Sequence, residues 1–183
     1  MELTAPQPLT ALLAACKQGH TASYQALYNR YAKAMYNTCL RIVNNTADAE
    51  DVLQEAFLVA FRSLETFECE AAFGSWLKRI CVNKAINKVK RERKRWLQMD
   101  EAPIINFQEE ESIDEDEFAW KIDEIKRAIQ ALPDGYRTIL CLHLLENYKH
   151  HEIAVMLDLS ASTVRTQYIR AKSKLLQLIN GEK

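Results

Sequence analysis

Apolar residues recur along this chain in steps of three, four and seven, the spacing of one face of an α-helix. Leu12, Leu13 and Cys16 form a short stripe that ends near Gly19. Tyr24, Leu27, Tyr28, Tyr31, Met35 and Ile42 form a longer one, which predicts a helix reaching about Asn44. Asn44-Asn45-Thr46 reads as a break, with Thr46 or Asp48 as the cap of the next helix. Asp48, Glu50 and Asp51 then fall in a first turn, where the helix dipole favours anions. A third stripe runs through Ala49, Val52, Leu53, Ala56, Val59, Ala60 and Leu64. Residues 67–73 read as a loop. A long helix comes next, from about Ser75 to Arg95, with Trp76, Leu77, Ile80, Ala85 and Val89 as its inward positions.

Periodicity fails across residues 97–118, which contain Pro103 and read as a linker, although Ile104, Ile105, Phe107 and Ile113 give it apolar points that could dock. Helical spacing resumes near Ala119 and breaks at Leu132-Pro133-Asp134-Gly135, where Asp134 can cap a helix over 136–146. Residues 148–179 then read as helix, tight turn, helix. The first helix buries Ile153, Ala154 and Leu157, with Ala154 small where a second helix must cross closely. Asp158-Leu159-Ser160 makes the turn, and Ser160 caps the second helix. The fold expected is all-α: two small helical domains, over 1–96 and 119–183, joined by an acidic linker over 97–118.

Only four Gly and four Pro in 183 residues agree with long helices. No apolar run approaches the roughly 18–20 residues of a membrane span, and Met1 to Thr10 lack the basic start and apolar core of a signal peptide. The expectation is a cytoplasmic protein with no membrane insertion. Its five cysteines are scattered without a CxxC pair and read as reduced thiols.

A net charge of −1 hides strong segregation. Residues 78–99 hold nine basic residues and one acidic, residues 100–118 hold nine acidic and none basic, and residues 119–183 are net +3. A basic block abutting an acidic one points to a polyanionic partner for the basic part. The last helix sharpens that reading. Turned at 100° per residue from Val164, its residues Tyr168, Ala171, Leu175, Leu178 and Ile179 lie within about 60° of one apolar line. Opposite lie Ser162, Thr163, Thr166, Gln167, Arg170, Ser173 and Lys174, flanked by Arg165 and Lys172. No Asp or Glu occurs from Ser160 to Gly181, whereas an ordinary solvated helix face mixes acids with bases. Hydroxyls, an amide and cations suit a major groove. Arg165, Gln167 and Arg170 are the candidates for base edges, and Ser162, Thr163, Lys172 and Lys174 for phosphates.

The helix from Ser75 carries Lys78, Arg79, Lys84, Lys88, Lys90, Arg91, Arg93, Lys94 and Arg95, with Asn83 and Asn87 between them. Phe61, Phe67, Phe73 and Trp76 lie nearby. Cations track a nucleic-acid backbone, and exposed aromatics stack on bases that a duplex would hide. Phe61, Phe73 and Trp76 at helical spacing are more often core, and the cations after Lys84 also fit a simple phosphate-binding tail.

Enzymatic chemistry finds no support. No Gly-rich phosphate loop and no Ser/His/Asp pattern is present. Cys141, His143, His150 and His151 are the one group of ligand-type residues, but Cys141 and His143, two apart on a helix, point apart. No metal, cofactor or catalytic residue is expected.

The stretches DAEDVLQEAFLVAFRSLETF (48–67) and AAFGSWLKRICVNKAINKVKRERKR (71–95) resemble the second region of bacterial RNA polymerase sigma factors of the extracytoplasmic function (ECF) class. LPDGYRTILCLHLLENYKHHEIAVMLDLSASTVRTQYIRAKSKLL (132–176) resembles their fourth region. The resemblance implies a non-enzymatic factor that binds core RNA polymerase and directs promoter-specific initiation. It implies that Asp51, Val52, Leu53, Gln54, Glu55 and Phe57 lie on the helix that docks on the polymerase clamp coiled coil. It implies that loop 67–73 and the helix after it melt and read the −10 element, through Phe73, Trp76, Lys78, Arg79, Asn83, Lys84, Asn87 and Lys88. The −35 element falls to Ser162, Thr163, Arg165, Thr166, Gln167, Arg170, Lys172 and Lys174. Promoter DNA, as duplex and as melted non-template strand, and an anti-sigma factor are the other implied partners. Three positions depart from the family pattern: Asp158 replaces a turn glycine, Gln167 stands where Arg or Lys is common, and loop 67–73 carries Glu68, Cys69 and Glu70. The acidic linker has three readings: a thread through a polymerase groove, a mask over the basic helix, or a solvated spacer. The alternative to a sigma factor is a helix-turn-helix regulator that binds duplex DNA alone.

Overall fold

The computed structural model describes residues 8–91 and 115–181. Every regular element among them is helical. Eight α-helices occur in order: α1 Leu9–Lys17, α2 Thr21–Val43, α3 Thr46–Arg62, α4 Phe73–Arg91, α5 Glu115–Ala131, α6 Asp134–Leu144, α7 His150–Leu157 and α8 Ala161–Gly181. A 3₁₀ turn, Glu70–Ala72, leads into α4. The chain divides into two compact units, one built mainly on α1–α4 up to Lys88 and one on α5–α8, with residues 41–44 at the end of α2 and those from Val89 grouped with the second.

The first unit is organised by the predicted stripes. Leu12, Leu13 and Cys16 of α1 are buried, and the helix stops where Gly19 adopts a φ of +83°, which an L side chain rarely tolerates. α2 buries Leu27, Met35, Cys39 and Ile42. Its tyrosines form a row of ring contacts: Tyr24 on Phe61 at 4.9 Å, Tyr28 on Phe57 at 4.7 Å and Tyr31 on Phe73 at 5.3 Å between centroids. These tilted and edge-on geometries are the favourable ones for aromatic pairs. Gly74 permits the last contact, since a Cβ there would meet Tyr31 Cε1 at 3.2 Å.

The cap of α3 is Asn45, not Thr46 or Asp48. Its side-chain oxygen accepts the Asp48 backbone N–H at 3.0 Å, while Asn44 turns the chain with a φ of 53°. Asparagine ranks among the best caps and tolerates the left-handed region, so the Asn-Asn pair supplies both the turn and the cap. Asn45→Ala is expected to destabilise the first unit by about 1 kcal/mol, read as a lower denaturant midpoint with unchanged slope.

In the second unit, Ala128, Leu132, Tyr136, Leu140, Ala171 and Leu175 form a cluster that ties α5 and α6 to the second half of α8. Helix α6 begins at Asp134 after Pro133, two residues earlier than the periodicity suggests. Asp134 therefore sits in the first turn, where its carboxylate pairs with Arg137 at 2.6 Å. Arg137 is 1% exposed and also donates to the Leu132 carbonyl at 2.9 Å. Helix α5 starts at Glu115, so the last four residues assigned to the linker are helical. The rest of the linker lies outside the described residues, as do Arg93, Lys94 and Arg95.

Cys16, Cys39, Cys81 and Cys141 are buried free thiols and Cys69 is exposed. Burial raises the Cys16 thiol and pushes Cys141 up to about 11. A hydrogen bond with Cys39, then burial, raises Cys81. None of these three is a thiolate near neutrality. No helix among the described residues is long and apolar enough to cross a membrane.

Candidate nucleic-acid interface

Helix α4 buries Phe73, Leu77, Cys81, Val82, Ala85, Ile86 and Val89. That choice fixes which polar residues face outward. Arg79, Asn83 and Asn87, four apart, form an exposed line. Lys84 and Lys88 are half-buried and reach back to α3, pairing with Glu55 at 3.1 Å and Asp48 at 2.6 Å. Both pairs are partly solvated and contribute little stability, but they orient these two lysines along α3. Lys78 is half-buried.

The aromatics divide between the two readings the sequence allows. Phe73 is 0% exposed and contacts Tyr31, Phe67 and Trp76, so it packs as core in this structure. Phe67 and Trp76 stand half-buried as a stacked pair, with centroids 4.5 Å apart and planes 26° from parallel. The Lys17 ammonium donates to the Phe67 carbonyl at 2.7 Å and ties the loop to the end of α1. An aromatic stack at the rim of a helix rich in cations offers a face for an unpaired base.

Helix α3 divides similarly. Val52, Leu53 and Phe57 are at most 5% exposed, so these three side chains face the core of the unit. A helix turns about 100° per residue, so a motif taken as a continuous run includes both faces. Asp51, Gln54 and Glu55 are exposed. Leu58, which periodicity did not single out, is 55% exposed on the same face at i+3 to i+7 from them. An outward leucine framed by acids and an amide is the signal that sequence reading passed over.

The helix-turn-helix has the expected interior, with Ile153, Ala154, Leu157 and Val164 buried. Asp158 closes α7 in the left-handed region with a φ of 55°, the conformation a turn glycine would supply. The Leu159 N–H bonds back to the Ala154 carbonyl at 3.0 Å. Ser160 caps α8: its Oγ accepts the Thr163 N–H at 3.0 Å and lies 2.8 Å from the hydroxyls of Ser162 and Thr163.

On α8, Ser162, Arg165, Thr166, Ile169 and Lys172 are exposed and share one side. Thr163, Gln167, Arg170 and Lys174 are half-buried, and Ser173 is buried. Gln167 Oε1 and Arg170 Nε are enclosed without a hydrogen-bond partner among the described residues. The open stripe is thus centred on Arg165 and Thr166, and it includes Ile169, which was not among the expected contacts. Among the described residues no group of three or more His, Cys, Asp or Glu converges as a metal cluster would.

Residues 27–95 match the family description Sigma-70 region 2, and residues 122–175 match Sigma-70, region 4. The chain is 31% identical over 168 residues to the RNA polymerase sigma-H factor of Pseudomonas aeruginosa, covering 87% of each. It is 30% identical over 178 residues to the ECF RNA polymerase sigma-E factor of Haemophilus influenzae, covering 90% of this chain and 92% of that one. The chain belongs to the ECF sigma-factor family. As an ECF sigma factor it acts with core RNA polymerase in promoter-specific initiation of transcription. A solved sigma factor, RpoE of Bartonella quintana in complex with the anti-sigma factor NepR, shares the fold with a TM-score of 0.50 and 18% identity, covering 87% of this chain and 98% of that one. In this sigma factor the region 2 match includes α3 and α4, and the region 4 match includes α6, α7 and most of α8.

Proposed function

We propose that three exposed stripes divide the work of this sigma factor. Asp51, Gln54, Glu55 and Leu58 of α3 dock on the polymerase clamp coiled coil. Trp76, Lys78, Arg79, Asn83 and Asn87 engage the melted −10 element, with Lys84 and Lys88 tied back to α3. Ser162, Thr163, Arg165, Thr166 and Lys172 read the −35 duplex, with Ile169 available to a thymine methyl. Gln167, Arg170 and Lys174 lie at the edge of that surface. Region boundaries near 96 and 119 suit this division. The protein contributes binding energy and no chemical step of its own, and it works in the cytoplasm with polymerase. An anti-sigma factor is a further partner that the family implies.

The observation that carries this reading is the two-sided character of α8. One side is locked in the core by Val164, Ala171 and Leu175, and the other is open, cationic and free of carboxylates over 160–181. The decisive experiment is run-off transcription with core polymerase. Added protein is expected to direct initiation at discrete sites preceded by two shared sequence elements. Initiation indistinguishable from core enzyme alone, together with tight duplex binding by the free protein, would instead establish a stand-alone regulator.

The docking stripe makes its own prediction. A Gln54→Ala, Glu55→Ala, Leu58→Ala triple variant is expected to keep its helical signal and melting transition, because all three side chains are exposed. Its affinity for core polymerase in a co-purification or titration is expected to fall. Unchanged affinity would remove α3 from the docking surface.

A further inference from the structure

One side-chain cluster in the second unit has no part in the three stripes. His143 near the end of α6 stacks on His150, the first residue of α7, with ring centroids 4.3 Å apart and planes 28° from parallel. Both rings meet Tyr168 of α8, at 4.7 and 5.1 Å. His143 Nδ1 lies 2.9 Å from the Tyr148 carbonyl oxygen. A carbonyl only accepts, so Nδ1 is the protonated nitrogen of that ring. The three rings bridge α6, α7 and the N-terminal half of α8, one turn from Arg165.

This arrangement suits neutral imidazoles and opposes a charged one. His150 opens α7, where the helix dipole presents its positive end. Its Nε2 is enclosed without a hydrogen-bond partner among the described residues. The groups that bear on it are His143 from α6, Arg165 and Tyr168 from α8, and His151 and Glu152 on its own helix. The one acid among them is turned away, since Glu152 Oε2 accepts the Lys149 backbone N–H at 2.7 Å. Burial, then His143 and Arg165, hold the His150 pKa below its ordinary value of 6.5.

We propose that the His143–His150–Tyr168 stack is an acid-sensitive brace for α8: neutral, it fixes the N-terminal half of that helix, and protonation of His150 loosens it. The sign comes from linkage. Below pH 6.5 the unfolded chain takes up a proton that the folded unit resists. The brace therefore contributes in full above pH 6.5, and its contribution is lost as pH falls through 6.5 toward the lower folded value. The consequence for transcription rests on α8 being the −35 reader, whereas the brace does not.

Histidine-labelled full-length protein monitored by NMR tests the brace without DNA. The chain has four histidines, of which His20 and His151 are exposed. His150 is expected to titrate below the ordinary imidazole value of 6.5. As it does, the amides from Val164 to Ala171 are expected to shift and to exchange faster. His143→Gln removes the ring stacked on His150 and is expected to raise the His150 midpoint, and His150→Gln is expected to abolish the acid response of α8. A His150 midpoint at or above 6.5, or α8 amides unmoved through that midpoint, would overturn the proposal, and the His143→Gln comparison decides the matter if His150→Gln does not fold. Run-off initiation by holoenzyme is then expected to fall with pH more steeply for wild type than for His150→Gln. A responding α8 with parallel pH profiles would count against α8 as the −35 reader and leave the brace intact.

Discussion

Phe73→Ala destabilises the first unit by about 3–5 kcal/mol, the usual cost of deleting a fully buried phenylalanine. Phe73 has no exposed surface and contacts rings from α2, from the loop and from its own helix. Truncation leaves a cavity that Gly74 and the stacked Phe67 and Trp76 cannot fill without moving. With a typical domain stability of about 5–15 kcal/mol, the variant loses a large share of its margin. Thermal and denaturant melts read the effect directly. Trp76→Ala supplies the contrast. Trp76 is half-buried and stacked on one face, so its loss costs less stability and more promoter opening. Opening is measured with permanganate reactivity of unpaired thymines in the polymerase–promoter complex. If Phe73→Ala melts like wild type yet fails to open promoters, Phe73 contacts DNA after all and the core assignment is wrong.

Arg165→Ala weakens recognition of the −35 element by about 1–3 kcal/mol, roughly 5- to 150-fold in affinity, while the melting temperature stays within that of ordinary surface substitutions. The reason is position. Arg165 is exposed one residue beyond buried Val164, which fixes the helix face, and one turn past the Ser160 cap, which fixes the helix start. Base reading predicts a loss confined to promoters carrying the preferred −35 sequence, with scrambled elements little changed. An equal loss on every sequence would make Arg165 a phosphate contact. Arg170, half-buried with an enclosed Nε, is expected to show the smaller sequence-dependent effect and the larger effect on stability.

The helical architecture was legible because core residues recur at the helical period. Leu12, Leu13 and Cys16, or Ile153, Ala154 and Leu157, declare their helices without help from neighbours. The turn at Asp158 was legible through local chemistry. Periodicity already placed Val52 and Leu53 on the apolar stripe of α3, whereas the family resemblance, taken as a continuous run, drew them in with their outward neighbours. Val52, Leu53 and Phe57 lie among the proposed docking residues in sequence but turn inward in space. Phe73 lies beside basic residues, yet its burial depends on Tyr31 and Phe67, which only the tertiary fold brings to it. Leu58 and Ile169 lie off the apolar stripes of their helices and carry no polar group, so the sequence assigned them neither to the core nor to a contact face. The histidine stack joins residues 143, 150 and 168 across three helices, and no local pattern announces it.

Helices α4 and α8 are each expected to present an open basic face to a different stretch of one promoter. The most direct measurement is site-specific photocrosslinking from residues 79 and 165 in a polymerase–promoter complex whose start site has been mapped. The predicted result is two separate adducts, one from residue 79 on the melted non-template strand near the start and one from residue 165 on duplex DNA upstream. Crosslinks from residue 165 to protein only, or both residues marking the same stretch of duplex, would contradict it.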